Sequence, residues 1–297
     1  MPVTALALVL VAALLHAFWN IVAKRSGGGA HFVLLSSVMV VVVWSPLGLW
    51  MAWQHVPAWG WQQWGLVAAS ALVHVGYFNV LLAGYRAADL TVVYPVARGT
   101  GPLVSATVAA WWLDEHLGVA GLAGVLGVVG GVVLIAGGPK LFAALMGRGG
   151  QDAAAAARVR AGVAWGAATG LLIAGYTLVD GYAVKVALMS PILVDYLGNA
   201  LRVPMMLPVA LLDREGFVRE ARALWKGALV LAIASPVAYT LVLYAATLAP
   251  LSRVAPAREV SMLVAALIGG HLLGEGDRAW RVAGALCMAG GVALLAW

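Results

Sequence analysis

Ten apolar runs divide this 297-residue chain, each about as long as a helix must be to cross a bilayer. They lie near 3–23, 32–53, 63–85, 91–113, 118–137, 161–184, 191–212, 224–246, 250–273 and 279–297. Inside hydrocarbon a backbone N–H or C=O finds no water. A run of this length must therefore satisfy its own hydrogen bonds, as a helix does. The expectation is an all-α polytopic membrane protein with ten transmembrane helices. Composition agrees: 63% of residues are hydrophobic, 10% are charged and the mean hydropathy is +0.96, more apolar surface than a soluble domain of this size can bury. No basic residue precedes the first run, which argues against a cleaved signal peptide.

The runs repeat. Adding 160 to a residue number takes Arg98 to Arg258, Leu103 to Leu263, Leu113 to Leu273 and Glu115 to Glu275, and then Gly124, Gly130 and Gly131 to Gly284, Gly290 and Gly291. Small apolar residues match by chance in such a chain, but an Arg and a Glu matching at one offset point to two tandem copies. Residues 1–138 form the first five-helix repeat, 139–160 the linker and 161–297 the second repeat. The linker follows Gly137-Gly138-Pro139 and includes an alanine run between charges. An odd number of spans per copy sends the second copy in from the opposite side, so the repeats are expected to be inverted.

Charge sets the orientation. Loops after odd-numbered runs carry Lys24, Arg25, Arg86, Lys140, Arg148, Arg158, Arg160, Arg214, Arg219, Arg222, Lys226, Arg278 and Arg281. The other side has little beyond Lys185. The positive-inside rule places the odd loops in the cytoplasm and both termini outside. The formal charge of +6 is thus a membrane signature. It is scattered between runs, which excludes a nucleic-acid partner. The bilayer is the expected surround, and a bacterial-type inner (plasma) membrane the expected location.

The run from Val92 to Glu115 concentrates the chemistry. Pro95, Gly99, Gly101 and Pro102 weaken helical hydrogen bonding, so a broken helix is expected around Arg98. A guanidinium at membrane depth needs a partner or a wet cavity. Other polar residues fall inside runs at helical spacing: His16, Trp19 and Asn20 in the first, His74 and Tyr77 in the third, Tyr94 beside Arg98, Tyr176 and Asp180 in the sixth, Tyr239 in the eighth, Arg258 and Glu259 in the ninth. With Asp195, Asn199 and Arg202 in the seventh run, the charges within spans balance, three Arg against two Asp and one Glu. Membrane charges mark transport pathways, and they also pair as glue between helices. The expected substrate-binding set is His16, Trp19, Asn20, His74, Tyr77, Tyr94, Arg98, Tyr176, Tyr239 and Arg258. Burial disfavours the charged form of a carboxyl group, so Asp180 is the expected proton carrier, with Glu259 the alternative. Glu115 and Glu275 each close a run before a turn and are expected to pair with a basic group across the repeat interface. The glycines of runs five and ten read as helix-packing surface, with a homodimer contact as the competing reading to a monomer. Trp53, Trp59, Trp61, Trp64 and Trp280 read as interface anchors, and His31, His55 and His116 as loop residues without a specific role.

Enzyme chemistry finds no foothold. His-Glu-x-x-His, Gly-x-Ser-x-Gly and the phosphate-binding Gly-x-x-x-x-Gly-Lys are absent. Gly274-Glu275-Gly276-Asp277 matches a short protease motif, but Arg278 and Arg281 follow it and place it in a turn. The single cysteine, Cys287, offers neither a disulfide nor a metal cluster. No cofactor or metal is expected, and without a nucleotide site any accumulation must draw on an ion gradient.

Tyr94-Pro95-Val96-Ala97-Arg98-Gly99-x-x-Pro102, Leu113-Asp114-Glu115, Leu273-Gly274-Glu275 and the glycine-rich fifth run of each copy resemble the drug/metabolite transporters, specifically the EamA family. The resemblance covers the whole chain. It implies a secondary transporter that moves a small metabolite, amino acid or drug by alternating access, as an exporter, with a central cavity lined by spans 1, 3, 4, 6, 8 and 9 and with spans 5 and 10 at the periphery. Proton coupling is the expected energy source. The alternatives are a passive uniporter and a lipid scramblase or structural membrane protein.

Overall fold

The computed structural model describes residues 1–26, 29–88, 90–135, 153–263 and 278–297. The described helices are α1 (Val3–Ser26), α2 (Ala30–His55), α3 (Trp61–Ala87), α4 (Leu90–Trp112), α5 (Gly118–Ile135), α6 (Ala153–Lys185), α7 (Pro191–Leu212), α8 (Arg214–Leu248), α9 (Leu251–Ala257) and α10 (Arg278–Ala296). No strand occurs among the described residues. The alanine run inside the expected linker is helical and opens α6. Residues 136–152, which include the rest of that linker, lie outside the described residues, as does Glu275.

Six segments among the described residues are long and apolar enough to cross a membrane: Val3–Ala23, Ala30–Ala58, Trp61–Ala87, Gly118–Ile135, Ala157–Lys185 and Arg214–Leu248. The protein is an integral, multi-pass membrane protein. Two of the expected spans outside these six, α4 and α7, carry charges and prolines inside them. Arg98, Pro95 and Pro102 dilute α4, and Asp195, Arg202, Pro204 and Pro208 dilute α7. Leu14, Phe18, Val42, Leu49, Trp50 and Leu72 stand exposed on outer faces, as residues bathed by acyl chains do.

One expectation fails in α4. Helical structure runs unbroken through Pro95, Gly99, Gly101 and Pro102. The glycines here serve close packing. A Cβ on Gly101 would stand 2.7 Å from the Ile173 side chain, and one on Gly170 of α6 would stand 2.9 Å from the Ala97 carbonyl. Close backbone contact with α6 holds α4 helical although each proline removes a hydrogen bond. The break appears in the second half of the chain instead. Pro256 precedes a turn at Arg258 and Glu259, and helix resumes over residues 260–263.

Packing follows a regular scheme. α1 lies along α8, and α3 along α6. α2 packs on both α7 and α8, while α3 packs on both α6 and α7. α4 contacts α6, α5 and α9. α5 and α10 pack tightly on each other, glycine to glycine. A Cβ on Gly124 would meet the Gly291 carbonyl at 2.8 Å, and one on Gly131 the Gly284 carbonyl at 2.7 Å. The converse holds: a Cβ on Gly284 would meet the Gly131 carbonyl at 2.8 Å, and one on Gly291 the Gly124 carbonyl at 2.7 Å. As the residue number rises along α5 it falls along α10, so the two helices run antiparallel. This gives the glycines the packing role read from the sequence. The largest apolar core gathers around Val9, Val67, Val128, Leu251, Val254 and Met288, and so ties both halves together.

Candidate functional site

Glu259 anchors the site. Its side chain is fully buried at the turn after α9. Oε2 lies 2.8 Å from Nη2 of Arg98 on α4, and Oε1 lies 3.8 Å from Nε of Arg258. The Arg98 guanidinium also donates to Ser261 Oγ at 3.1 Å and sits 6.0 Å from the centre of the Tyr94 ring. Arg98 is 7% and Arg258 5% exposed. Two guanidiniums around one carboxylate leave one unit of positive charge uncompensated at this point among the described residues. The Nε atoms of both arginines have no hydrogen-bond partner among the described residues. A buried donor without a partner is costly, and such atoms are where a ligand's acceptors find their place. The site exists because Pro256 and the following turn bring Arg258 and Glu259 inward from a helix end, where a continuous helix would space them around its surface.

A second cluster lies beside it, made by α3, α6 and α8. The His74 and Tyr176 rings stack at 4.0 Å, and Tyr239 meets both edge-on, at 6.0 Å and 6.3 Å. Tyr77 adds its ring to Tyr176 at 5.8 Å. Ala97, one residue before Arg98, is in the same apolar cluster as Tyr176, Tyr77 and Tyr239, so the aromatic wall adjoins α4. The Tyr239 hydroxyl donates to Asp180 Oδ2, while Asp180 Oδ1 is buried with no partner among the described residues. His74 Nδ1 lies 2.9 Å from the Ser70 carbonyl. A carbonyl only accepts, so the proton is on Nδ1 and Nε2 remains an acceptor.

The structure thus brings together Tyr94, Arg98, Arg258 and Glu259 on one side and His74, Tyr77, Tyr176, Tyr239 and Asp180 on the other. The first-helix trio fares differently. The His16 and Trp19 rings meet edge-on at 4.7 Å, but the Asn20 amide is spent on the His16 carbonyl at 2.8 Å. Trp19 packs against the cluster of Phe32, Leu35, Ala228 and Leu231 between α2 and α8. The charges within spans pair less evenly than their balance implies. Glu259 takes two arginines, while Asp180, Asp195 and Arg202 have no ion pair among the described residues.

Some contacts were not legible. Ser261 and Ser70 carry no pattern of their own, although each lies three or four residues from a named polar partner. Glu115 pairs with Lys185 at 2.5 Å, as expected of a turn residue facing a basic group, and it does more. Its two oxygens accept the backbone N–H groups of Leu251 and Ser252, both at 2.8 Å, and so cap α9. His31, expected to do nothing specific, lies in the first turn of α2 with Nδ1 3.2 Å from Glu220 Oε1 and Nε2 3.8 Å from Asp213 Oδ2. Its partners come from the junction of α7 and α8, 189 positions away for Glu220, which sequence spacing does not reveal.

Residues 160–297 match the model of the EamA-like transporter family. The second half of the chain is thus similar to that family. EamA-like proteins are membrane transporters, a non-enzyme class. The match begins near the end of the expected linker and spans α6 to α10, so it includes Tyr176, Asp180, Tyr239, Arg258 and Glu259. No curated protein matches the chain. A solved structure titled "Crystal structure of protein" has 15% identity and a TM-score of 0.70, over 99% of this chain and 96% of that one. At that identity the likeness concerns the fold alone.

Proposed function

We propose that the protein is a secondary transporter that moves a small metabolite, amino acid or drug by alternating access, with the substrate's carboxylate meeting Arg98 and Arg258. The observation that carries this reading is the surplus positive charge around Glu259, buried beside an aromatic wall. A carboxylate between the two guanidiniums would complete the charge and occupy their unpartnered Nε atoms. His74, Tyr77, Tyr176 and Tyr239 would face the rest of the molecule. His16, midway along α1, would complete the lining. Trp19 and Asn20 would support it from behind.

Two inverted five-helix repeats, ten crossings in all, are part of the same reading. The packing scheme supports them. Exchanging each helix for the one five places on turns the α1–α8 pair into α6–α3, and α2–α8 into α7–α3. The α5–α10 and α2–α7 pairs map onto themselves. The reciprocal glycine contacts and antiparallel course of α5 and α10 fit a two-fold axis in the membrane plane. Arg98 and Glu259 come from opposite copies, so moving one copy against the other would open and close the site.

The loop charges support an orientation with odd loops in the cytoplasm of a bacterial-type inner membrane, and export is the direction the family resemblance implies. Proton coupling through Asp180 fits its setting, because no cation among the described residues lies within ion-pair distance of it. Glu259 is compensated by two arginines. The test is a thermal-shift screen of the purified protein against a metabolite panel, followed by flux of the hits in proteoliposomes. Carboxylate-bearing hits that also cross the membrane are expected. Hits confined to molecules lacking a carboxylate would overturn the role given to the two arginines.

A further inference from the structure

A crevice of about 200 Å³ opens between α2, α7 and α8, apart from the Arg98–Glu259 centre. Its wall is apolar and aromatic, with Val40, Trp44, Tyr196, Val237 and Tyr244. Asp195 is its one acidic residue, 93% buried by its 7% exposure. Asn199 donates to Asp195 Oδ1 at 3.1 Å, which fixes the carboxylate. Oδ2 has no hydrogen-bond partner among the described residues, and no cation there lies within ion-pair distance of Asp195. Arg202 does not line the crevice; its guanidinium reaches back along α7 to Gly198 and acts on the Asp195 carboxylate from behind the wall, outside ion-pair distance. The Trp44 indole is locked by its Nε1 donating to the Ala232 carbonyl at 2.8 Å, so it presents ring and not N–H to a ligand.

We propose that this crevice binds a small arylalkyl ammonium ion, with the ammonium donating to Asp195 Oδ2 and the ring seated among Trp44, Tyr196 and Tyr244. A buried carboxylate with a free oxygen calls for a cationic donor, and aromatic faces attract the same charge. An apolar cavity of about 150 Å³ takes one benzene ring. The additional volume here accommodates a short aminoalkyl arm. The site is distinct from the central one in charge, since the arginine pair there favours an anion.

Equilibrium dialysis of radiolabelled phenethylamine against the purified full chain tests this. Saturable binding is expected, with the neutral analogue 2-phenylethanol weaker by about tenfold or more, the loss of one charge-assisted hydrogen bond. Asp195→Asn should weaken phenethylamine by a similar factor. Val237→Phe, which fills the crevice and leaves the carboxylate in place, should abolish binding, and it decides the matter should Asp195→Asn fail to fold. Absence of saturable binding would mean that lipid fills the crevice. Equal binding of amine and alcohol, or wild-type binding by Val237→Phe, would equally overturn the assignment.

Discussion

Glu115 and Lys185 face each other at 2.5 Å across the ends of α4 and α6, and the same carboxylate holds the first two N–H groups of α9. Lys185 also donates to the Ala249 carbonyl at 3.2 Å, just before α9 begins. One carboxylate therefore sets the relative position of three helix ends drawn from both halves of the chain. Glu115→Ala should lower stability by about 2 kcal/mol, a lost cap plus a broken partly buried pair. Glu115→Gln should lose less, because its amide oxygen still accepts one N–H. Thermal unfolding in detergent checks the order, and a double-mutant cycle with Lys185→Ala isolates the pair. Equal melting temperatures for wild type and Glu115→Ala would remove the cap from the account.

Arg98 should be separable into a structural and a functional part. Arg98→Ala alone strands the Glu259 carboxylate and should destabilise the protein by about 3–5 kcal/mol. Arg98→Ala combined with Glu259→Gln should recover most of that loss while remaining inactive in proteoliposome flux. Normal flux by the double variant would make the pair glue between helices and nothing else.

Asp180→Asn should uncouple transport from the proton gradient. A trapped pH dye should report proton movement with substrate flux in the wild type, and none in the variant, whose residual flux should ignore an imposed gradient. Tyr239→Phe removes only the hydroxyl that donates to Asp180 and should keep the coupling. Wild-type flux with no proton movement would leave a uniporter.

Orientation is open to chemical labelling. In a Cys287→Ser background, Arg219→Cys in the first turns of α8 should resist an impermeant maleimide in intact cells and react after lysis. His116→Cys, in the loop between α4 and α5, should react in both. The reverse pattern would turn the protein over in the membrane.

The helices were legible because a span must be long and apolar, and the runs near 32–53, 63–85 and 191–212 correspond closely to α2, α3 and α7. Arg98 and Glu259 were legible as charges at membrane depth, and the offset between copies pointed to Arg258. The course of α4 was misread because proline and glycine carry two meanings in a membrane helix. Their effect on backbone hydrogen bonding is written in the sequence, whereas the α6 surface that rewards a missing side chain is not. His31 was misread for a similar reason: its acidic partners lie on another pair of helices. Trp19 shares a helical face with His16, yet its ring is claimed by α2 and α8, a competition that spacing along one helix cannot express.

The α5–α10 seam has a consequence of its own. Gly124 meets Gly291, which is Gly131 carried forward by 160, and Gly131 meets Gly284, which is Gly124 carried forward by 160. Each partner is thus the other's image, and a surface that matches its own image is complete in a single copy. Residues 160–297, made alone, would keep Gly284 and Gly291, the images of Gly124 and Gly131, so two such half-chains inserted in opposite senses would have a seam ready to close on.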